Sequence, residues 1–267
     1  MMAVYWQEDS SDFMLSERVY VVTGGSQGFG YAIANELLAA GARVGLLARS
    51  EDTLANAVST LGDDKAFAAV ADVADGSQVN EAFKQIHAHF GRIDGLVNNA
   101  GVARPGQISE ISEEDLRWQF DVNVIGLVLC CQAAMPFLKL SDNPRIVNIG
   151  SASSIYREEC RHVGIYAASK AAVDRLSAEL RDELRADGIG VSVVIPGAAA
   201  TDFASGWDEE KIRLCAAEWA NYGKFMDTGM EPADVGEAVV HCVSRRPGVA
   251  VDTLTVRPNI PTEKITW

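Results

Sequence analysis

The chain has 267 residues, of which 48% are hydrophobic and 22% charged, a make-up that fits a globular protein with a substantial core and excludes a disordered one. Asp and Glu number 37 against 23 Lys and Arg, a formal net charge of -14, so nucleic acid and anionic membrane surfaces are poor default partners. An anionic ligand would need a local positive site. Cys130, Cys131, Cys160, Cys215 and Cys242 lack disulfide or metal spacing, and His87, His89, His162 and His241 form no metal signature. Met1 to Ser16 lacks a basic-then-apolar signal pattern, and no apolar run reaches bilayer length. The expectation is a cytoplasmic protein with reduced thiols, no metal and no membrane partner.

Residues 1–16 read as a loose leader, 17–257 as a single domain and 258–267 as a tail. Arg18 to Thr23 is a short β-branched run and predicts a buried strand. Gly24-Gly25-Ser26-Gln27-Gly28-Phe29-Gly30 follows it, and a helix pattern runs on to Ala40. Strand, glycine turn and helix together suit a pyrophosphate: the helix start offers free N–H groups and partial positive charge, and glycine lets the backbone come close. A tight turn without ligand is the plainer alternative. The next strand, Arg43 to Ala48, ends at Arg49-Ser50. An acidic residue here would hold a ribose 2′-hydroxyl; an arginine suits a 2′-phosphate instead. NADP(H) is therefore favoured over NAD(H), with the Ser50 hydroxyl as a second ligand and no further charge from Gln27.

Leu54–Leu61 reads as helix and Ala66–Ala71 as strand. Asp72-Val73 comes next, where the carboxylate meets an adenine amino group or caps a helix. Val79–Phe90 is an amphipathic helix, and Ile93–Val97 a strand that leads into Asn98-Asn99-Ala100-Gly101. Regular alternation of this kind defines a parallel α/β sheet of Rossmann type, doubly wound, with ligands at the carboxyl ends of the strands. Residues 112–138 predict one long helix, interrupted in propensity by Asn123. Arg145–Ile149 is a strand that runs into Gly150-Ser151-Ala152-Ser153-Ser154. A helix follows to about Arg185, with an apolar stripe of Val173, Leu176, Leu180 and Leu184. Ile189–Ile195 is a strand before Pro196-Gly197-Ala198-Ala199-Ala200-Thr201. Residues 207–226 predict an aromatic-rich helix, Pro232 opens another, and Val249–Val256 is the last strand.

Within the long helix after Ser151, Tyr166 and Lys170 stand four residues apart and so leave the same face. A phenol with a reference pKa of about 10 is a poor base near neutrality. A neighbouring ammonium favours the phenolate. The pair can therefore act as a tuned proton-transfer device, or merely as two residues of an amphipathic helix.

In order along the chain, these pieces resemble a short-chain dehydrogenase/reductase of the single-domain type over roughly residues 17–257. Thr23, Gly24, Gly28 and Gly30 match its glycine motif, and Asn98 through Gly101 its Asn-Asn-Ala-Gly segment. Asn123, Ser151, Tyr166 with Lys170, and Pro196, Gly197 and Thr201 fall at its remaining motifs. The resemblance implies a hydride exchanged between a nicotinamide and a carbinol or carbonyl carbon, with Tyr166 as general acid/base. Ser151 would orient the substrate oxygen. Lys170 would hold the nicotinamide ribose and lower the Tyr166 pKa, while Asn123 holds a water that relays protons to Lys170. Asn99, Ala100 and Gly101 would border the adenosine ribose, and Pro196, Gly197 and Thr201 the nicotinamide.

Two departures stand out. The interval from Ser151 to Tyr166 is longer than the family's, which by spacing alone favours Ser153. The C-terminus also lacks a glycine-rich tail, which puts the usual tetramer contact in doubt. The substrate, a small carbonyl or alcohol compound, is expected between Val102–Ile108, Ser153–Ile165 and the segment after Thr201, with Glu158, Glu159, Arg161 and His162 on its rim. Self-association as a dimer or tetramer is expected through 112–138 and 164–187. An NAD(H)-linked alcohol dehydrogenase and a non-catalytic dinucleotide sensor are the competing readings.

Overall fold

Seven parallel strands form the centre of the molecule in the order β3-β2-β1-β4-β5-β6-β7. They are β1 (Val19–Thr23), β2 (Arg43–Ala48), β3 (Ala66–Val70), β4 (Gly95–Asn98), β5 (Arg145–Ile149), β6 (Gly190–Pro196) and β7 (Thr253–Val256). The computed structural model describes residues 15–156, 161–199, 201–204, 206–222 and 230–259. The helices are α1 (Gly28–Ala39), α2 (Glu51–Leu61), α3 (Gly76–Phe90), α4 (Glu113–Phe120), α5 (Gly126–Leu138), α6 (Ala152–Ile155), α7 (Gly164–Glu183), α8 (Glu209–Tyr222) and α9 (Pro232–Val243).

Alternation along β1 shows why both faces are covered. Val19 and Val21 enter one apolar core with α3, α5 and α7. Tyr20 and Val22 enter a second core with α1, α2 and α9. All five β1 residues are buried, as expected for a strand with helices on both sides. The chain steps outward from β1 to β2 and β3, then returns to β4 on the other flank of β1. That reversal opens a crevice at the carboxyl ends of β1 and β4, where ligands of such sheets sit.

Several boundaries differ from the sequence reading for local reasons. α2 begins at Glu51 because the Ser50 hydroxyl accepts from Thr53 N–H, and α3 begins at Gly76 because Asp75 caps it. β7 is shorter than Val249–Val256 because the Val249 carbonyl is taken by the Arg145 guanidinium at 2.8 Å. Residues 112–138 are not one regular α-helix: a π turn spans Asp121–Ile125 between α4 and α5. Joined, Glu113–Leu138 has the length and apolar composition to cross a bilayer, against the expectation of no such run, but it is half buried. Its inner face lies in the core with β4 and β5. The aromatic helix is α8, 209–222; Phe225 and Met226 of the expected 207–226 span lie outside the described residues. The stripe on α7 packs inward as expected, with Val173 and Leu184 buried and Leu180 against the core.

Candidate active site

The glycine turn forms the floor of the crevice. Gly24 and Gly28 adopt φ of 63° and 54°, which L side chains rarely tolerate. A Cβ on Gly30 would collide with the Gly24 carbonyl, so only glycine lets α1 start beneath the turn. Gln27 caps α1 without a side-chain hydrogen bond, and no acidic residue occupies the first turn. The N–H groups at this helix start are thus left for an outside acceptor, and their partial positive charge faces the crevice. A Cβ at Gly28 would meet nothing within 4 Å, so the cradle is open. Ser26 is half-buried in the same turn, while the Phe29 side chain packs on the core; Phe29 shapes the turn by burial.

Thr23 and Asn99 tie this floor to β4. The Thr23 hydroxyl accepts from Asn99 N–H and Ala100 N–H, both at 3.0 Å. Asn99 Nδ2 in turn donates to the carbonyl oxygens of Thr23 at 2.9 Å and Gly24 at 3.3 Å. A second buried ladder sets the register of α7: Asn98 Nδ2 donates to Asn148 Oδ1 at 2.9 Å, and Asn148 Nδ2 to Ser177 Oγ at 2.8 Å. These links fix the far wall, on which Tyr166 and Lys170 stand, against the floor.

Asn123 sits in the π turn, a feature common at functional sites because it shifts the backbone bonding by one residue. Its side chain clamps the strand that leaves β4. Oδ1 accepts from Val102 N–H at 2.8 Å, and Nδ2 donates to Val102 O at 2.8 Å and to Ser169 Oγ at 2.9 Å. Ser169 Oγ donates to the Tyr166 carbonyl at 2.7 Å. One asparagine thereby joins the post-β4 loop to the first turn of α7. Ser169 was invisible to sequence reasoning; its place one residue before Lys170, on the inward face of the helix, was the available signal.

Lys170 is 4% exposed. Nζ donates to the Ile149 carbonyl at 2.7 Å and lies 5.9 Å from the Tyr166 ring centroid. A Cβ on Gly101 would stand 3.3 Å from that Nζ and 3.5 Å from Asn123 Oδ1, so Gly101 leaves room for the ammonium. Burial pulls the Lys170 pKa down to about 8. Ser151 lies two residues beyond the end of β5 and caps α6. Its Oγ accepts from Ser153 N–H at 3.2 Å and lies 2.9 Å from Ser153 Oγ. Ser153 is buried and Ser151 is partly exposed, so Ser151 is the more accessible of the two serines.

The remaining expected residues fall at the rim. Arg49 is exposed at the end of β2. Ser50 is spent as the α2 cap. The Asp72 carboxylate accepts from Ala74 N–H at 3.0 Å, a turn and not a helix cap, and Val73 is buried against Gly126. Pro196 closes β6; Gly197 N–H donates to Val256 O at 2.8 Å, and Thr201 is half-buried beyond them. On the rim, Glu158 and Glu159 lie outside the described residues, as does Cys160.

At the opposite, amino-terminal edge of the sheet, a cleft of about 620 Å³ is lined by Arg18, Arg92, Asp94 and Asp142. Its charges pair with one another, so it is an ion-pair knot at the edge of the sheet opposite the carboxyl strand ends.

Fold and site define a doubly wound α/β protein with a dinucleotide-type glycine turn facing a tyrosine–lysine pair. A family model described as short chain dehydrogenase matches residues 18–212. An uncharacterized oxidoreductase of Staphylococcus aureus strain MRSA252 is 31% identical over 92% of this chain and 99% of its own length. Among solved structures, an alcohol dehydrogenase from the archaeon Thermococcus sibiricus, complexed with 5-hydroxy-NADP, superposes with a TM-score of 0.76 at 26% identity, covering 94% of this chain and 99% of that one. A 3-ketoacyl-(acyl-carrier-protein) reductase from Brucella melitensis, complexed with NADH, gives 0.79 at 25% identity, covering 92% and 98%. The chain belongs to the short-chain dehydrogenase family.

Proposed function

We propose that this protein is an NADP(H)-dependent oxidoreductase that interconverts a ketone or aldehyde and the corresponding alcohol, with Tyr166 as the proton-transfer group. The observation that carries the reading is Lys170: an ammonium 4% exposed, with a carbonyl as its hydrogen-bond partner, one helical turn from a tyrosine. Burying a charge without a carboxylate is costly; a scaffold gives it no use, and a dinucleotide sensor would use the ammonium on a ribose but not the tyrosine one turn away.

The chain's groups fit the cofactor. The uncapped start of α1 suits a pyrophosphate. Arg49, exposed at the end of β2, is placed for bidentate contact with a 2′-phosphate where an acidic residue would repel it. Gly101, Asn99 and Ala100 border the ribose side, and Pro196, Gly197 and Thr201 the nicotinamide side. The Thermococcus sibiricus relative holds an NADP analogue and the Brucella melitensis one NADH, so the preference proposed here is read from Arg49.

A bound nicotinamide supplies or accepts the hydride. Tyr166 gives a proton to the developing alkoxide in reduction and removes the hydroxyl proton in oxidation. Ser151 Oγ already accepts one N–H; with Ser153 donating to it, its own O–H is left for the substrate oxygen. Lys170 has one ammonium hydrogen on Ile149 O and two for ribose hydroxyls, and its charge favours the Tyr166 phenolate. Both Asn123 amide hydrogens are committed, so a relay water would be held through Oδ1 or the backbone of the π turn.

Cofactor oxidation across a ketone panel tests the reading, with Arg49→Asp as the selectivity variant. The expected result is NADPH oxidation by the native chain and a shift of the NADPH/NADH ratio of kcat/KM toward NADH in the variant, by about tenfold or more. An unchanged ratio would remove Arg49 as the phosphate ligand. Absence of oxidation with every carbonyl and both cofactors, in a chain that binds dinucleotide, would favour the sensor.

A further inference from the structure

We infer that the substrate carries a bulky apolar, ring-sized arm beside its carbonyl group, and that Phe203 selects it. The inference rests on the reading of Tyr166 as the proton-transfer group. Three ring contacts run outward from that residue. Tyr166 and Phe203 have centroids 5.2 Å apart at 57°, Phe203 and Trp207 6.0 Å at 66°, and Trp207 and Trp219 6.1 Å at 70°. These are edge and tilted geometries, the favoured ones for aromatic pairs.

The outer two rings are anchors. Trp207 is buried with Ala103, Val163 and Cys215, and its Nε1 donates to the Ala103 carbonyl at 3.0 Å. Trp219 Nε1 donates to the Arg161 carbonyl at 2.9 Å. One bond reaches the loop after β4 and the other the loop before α7, so the segment is pinned across both sides of the site. Phe203 is the inner ring of the row and behaves differently. It touches the Tyr166 and Trp207 rings yet remains 42% exposed, an apolar face held in place and left uncovered.

Other uncovered apolar side chains stand on the segments around it. Ile108, 73% exposed, faces Gly164, whose Cβ position lies 3.4 Å from Ile108 Cδ1; Gly164 is two residues before Tyr166. Ile155 and Tyr156 are exposed at the end of α6, just beyond Ser151. Four of the nine large exposed hydrophobics among the described residues thus lie on three segments adjoining Tyr166. Such clustering marks a binding face, whereas scattered exposed residues do not. One cation of this region, Arg257, has its guanidinium 3.9 Å above the Tyr156 ring. It is engaged with an aromatic face, and a substrate with an anionic arm is the competing outcome of the test.

The test compares a phenyl-bearing ketone, a short aliphatic ketone and a keto acid with the native chain and with Phe203→Ala. The phenyl ketone should be preferred by about tenfold or more in kcat/KM, and Phe203→Ala should erase most of that preference through KM, one ring contact being worth about a factor of ten. A second measurement needs no turnover and no altered Phe203. In Tyr166→Phe with NADP+ bound, Trp207 and Trp219 report ligands by fluorescence, and the phenyl ketone should saturate the signal at about a tenth of the concentration the other two require. Equal preference in both measurements, or preference for the keto acid, overturns the apolar arm and leaves the dehydrogenase reading standing. Tight phenyl-ketone binding with wild-type turnover in Tyr166→Phe would do the reverse: the apolar site stands and the proton-transfer role of Tyr166 falls.

Discussion

Lys170 is the residue at which position and chemistry meet. Its helical spacing from Tyr166 was legible in the sequence; its burial and its bond to Ile149 O were not, because β5 and α7 meet only in the tertiary fold. Its folded pKa of about 8 lies below the ordinary 10.5. Below pH 8 the folded state therefore carries the full cost of a buried ammonium, and this cost fades as pH rises from about 8 to 10.5, since the unfolded chain then binds more protons. The shift corresponds to roughly 3 kcal/mol. Lys170→Met should accordingly be more stable than the native chain at pH 7, with the difference shrinking toward pH 10.5. Urea melts of both proteins across that range check it, and a difference independent of pH would contradict it. Comparing the two chains matters because buried Cys130, Cys131 and Cys242, whose thiols burial pushes up, lose stability over the same interval in both. The two serines also separate at this scale: Ser151→Ala should lower kcat by about a hundredfold or more, the size of a lost oxyanion donor. Ser153→Ala, which removes only the partner of that hydroxyl, should lower it less.

The element that the sequence under-described is the helix pair α4–α5. Asn123 was visible as a residue of poor helix propensity, and that was the right signal. The π turn around it was not visible, because its i to i+5 bonding follows from the clamp on Val102 and Ser169 and not from local composition. Asn123→Ala should cost about 2 kcal/mol by stranding Val102 N–H. It should also weaken catalysis through a displaced α7, seen as a lower kcat together with weaker dinucleotide binding through Lys170. The glycine turn was legible almost completely, since strand, spacing and helix were all local. The aromatic row was legible only as a composition: Trp207 and Trp219 could have been ordinary core, and what distinguishes Phe203 is exposure. The outer side of α4–α5 keeps Leu116 and Ile125 exposed, in keeping with the proposed self-association along 112–138. Ile125→Asp should shift the proposed assembly to monomer in sedimentation, and an unchanged mass would remove this face as the contact.

The proposed chemistry and the ion-pair bracing lie at opposite edges of one sheet. The carboxyl edge holds the glycine turn, Ser151, Tyr166 and Lys170. The amino edge holds Asp94, which accepts from Val19 N–H, Arg92 and Ser141. Burial pushes the Asp94 carboxyl up, but those bonds outweigh it and hold it below its ordinary value. It therefore contributes stability above the unfolded carboxylate range, and that contribution is lost as pH falls through the folded value. Asp94→Asn should cost about 3 kcal/mol near neutrality, with dinucleotide affinity unchanged in the folded fraction. The doubly wound order could be inferred from alternating elements; the knot that braces it could not, since its members lie up to 124 residues apart. The proton-transfer role proposed for Tyr166 is the point on which the function rests. Its most direct measurement is single-turnover oxidation of bound NADPH by a saturating ketone in Tyr166→Phe, with cofactor affinity measured on the same sample. Native affinity and a rate reduced by about a thousandfold or more, at the scale of a lost general acid, are expected. A rate within a few fold of the native chain would contradict that role.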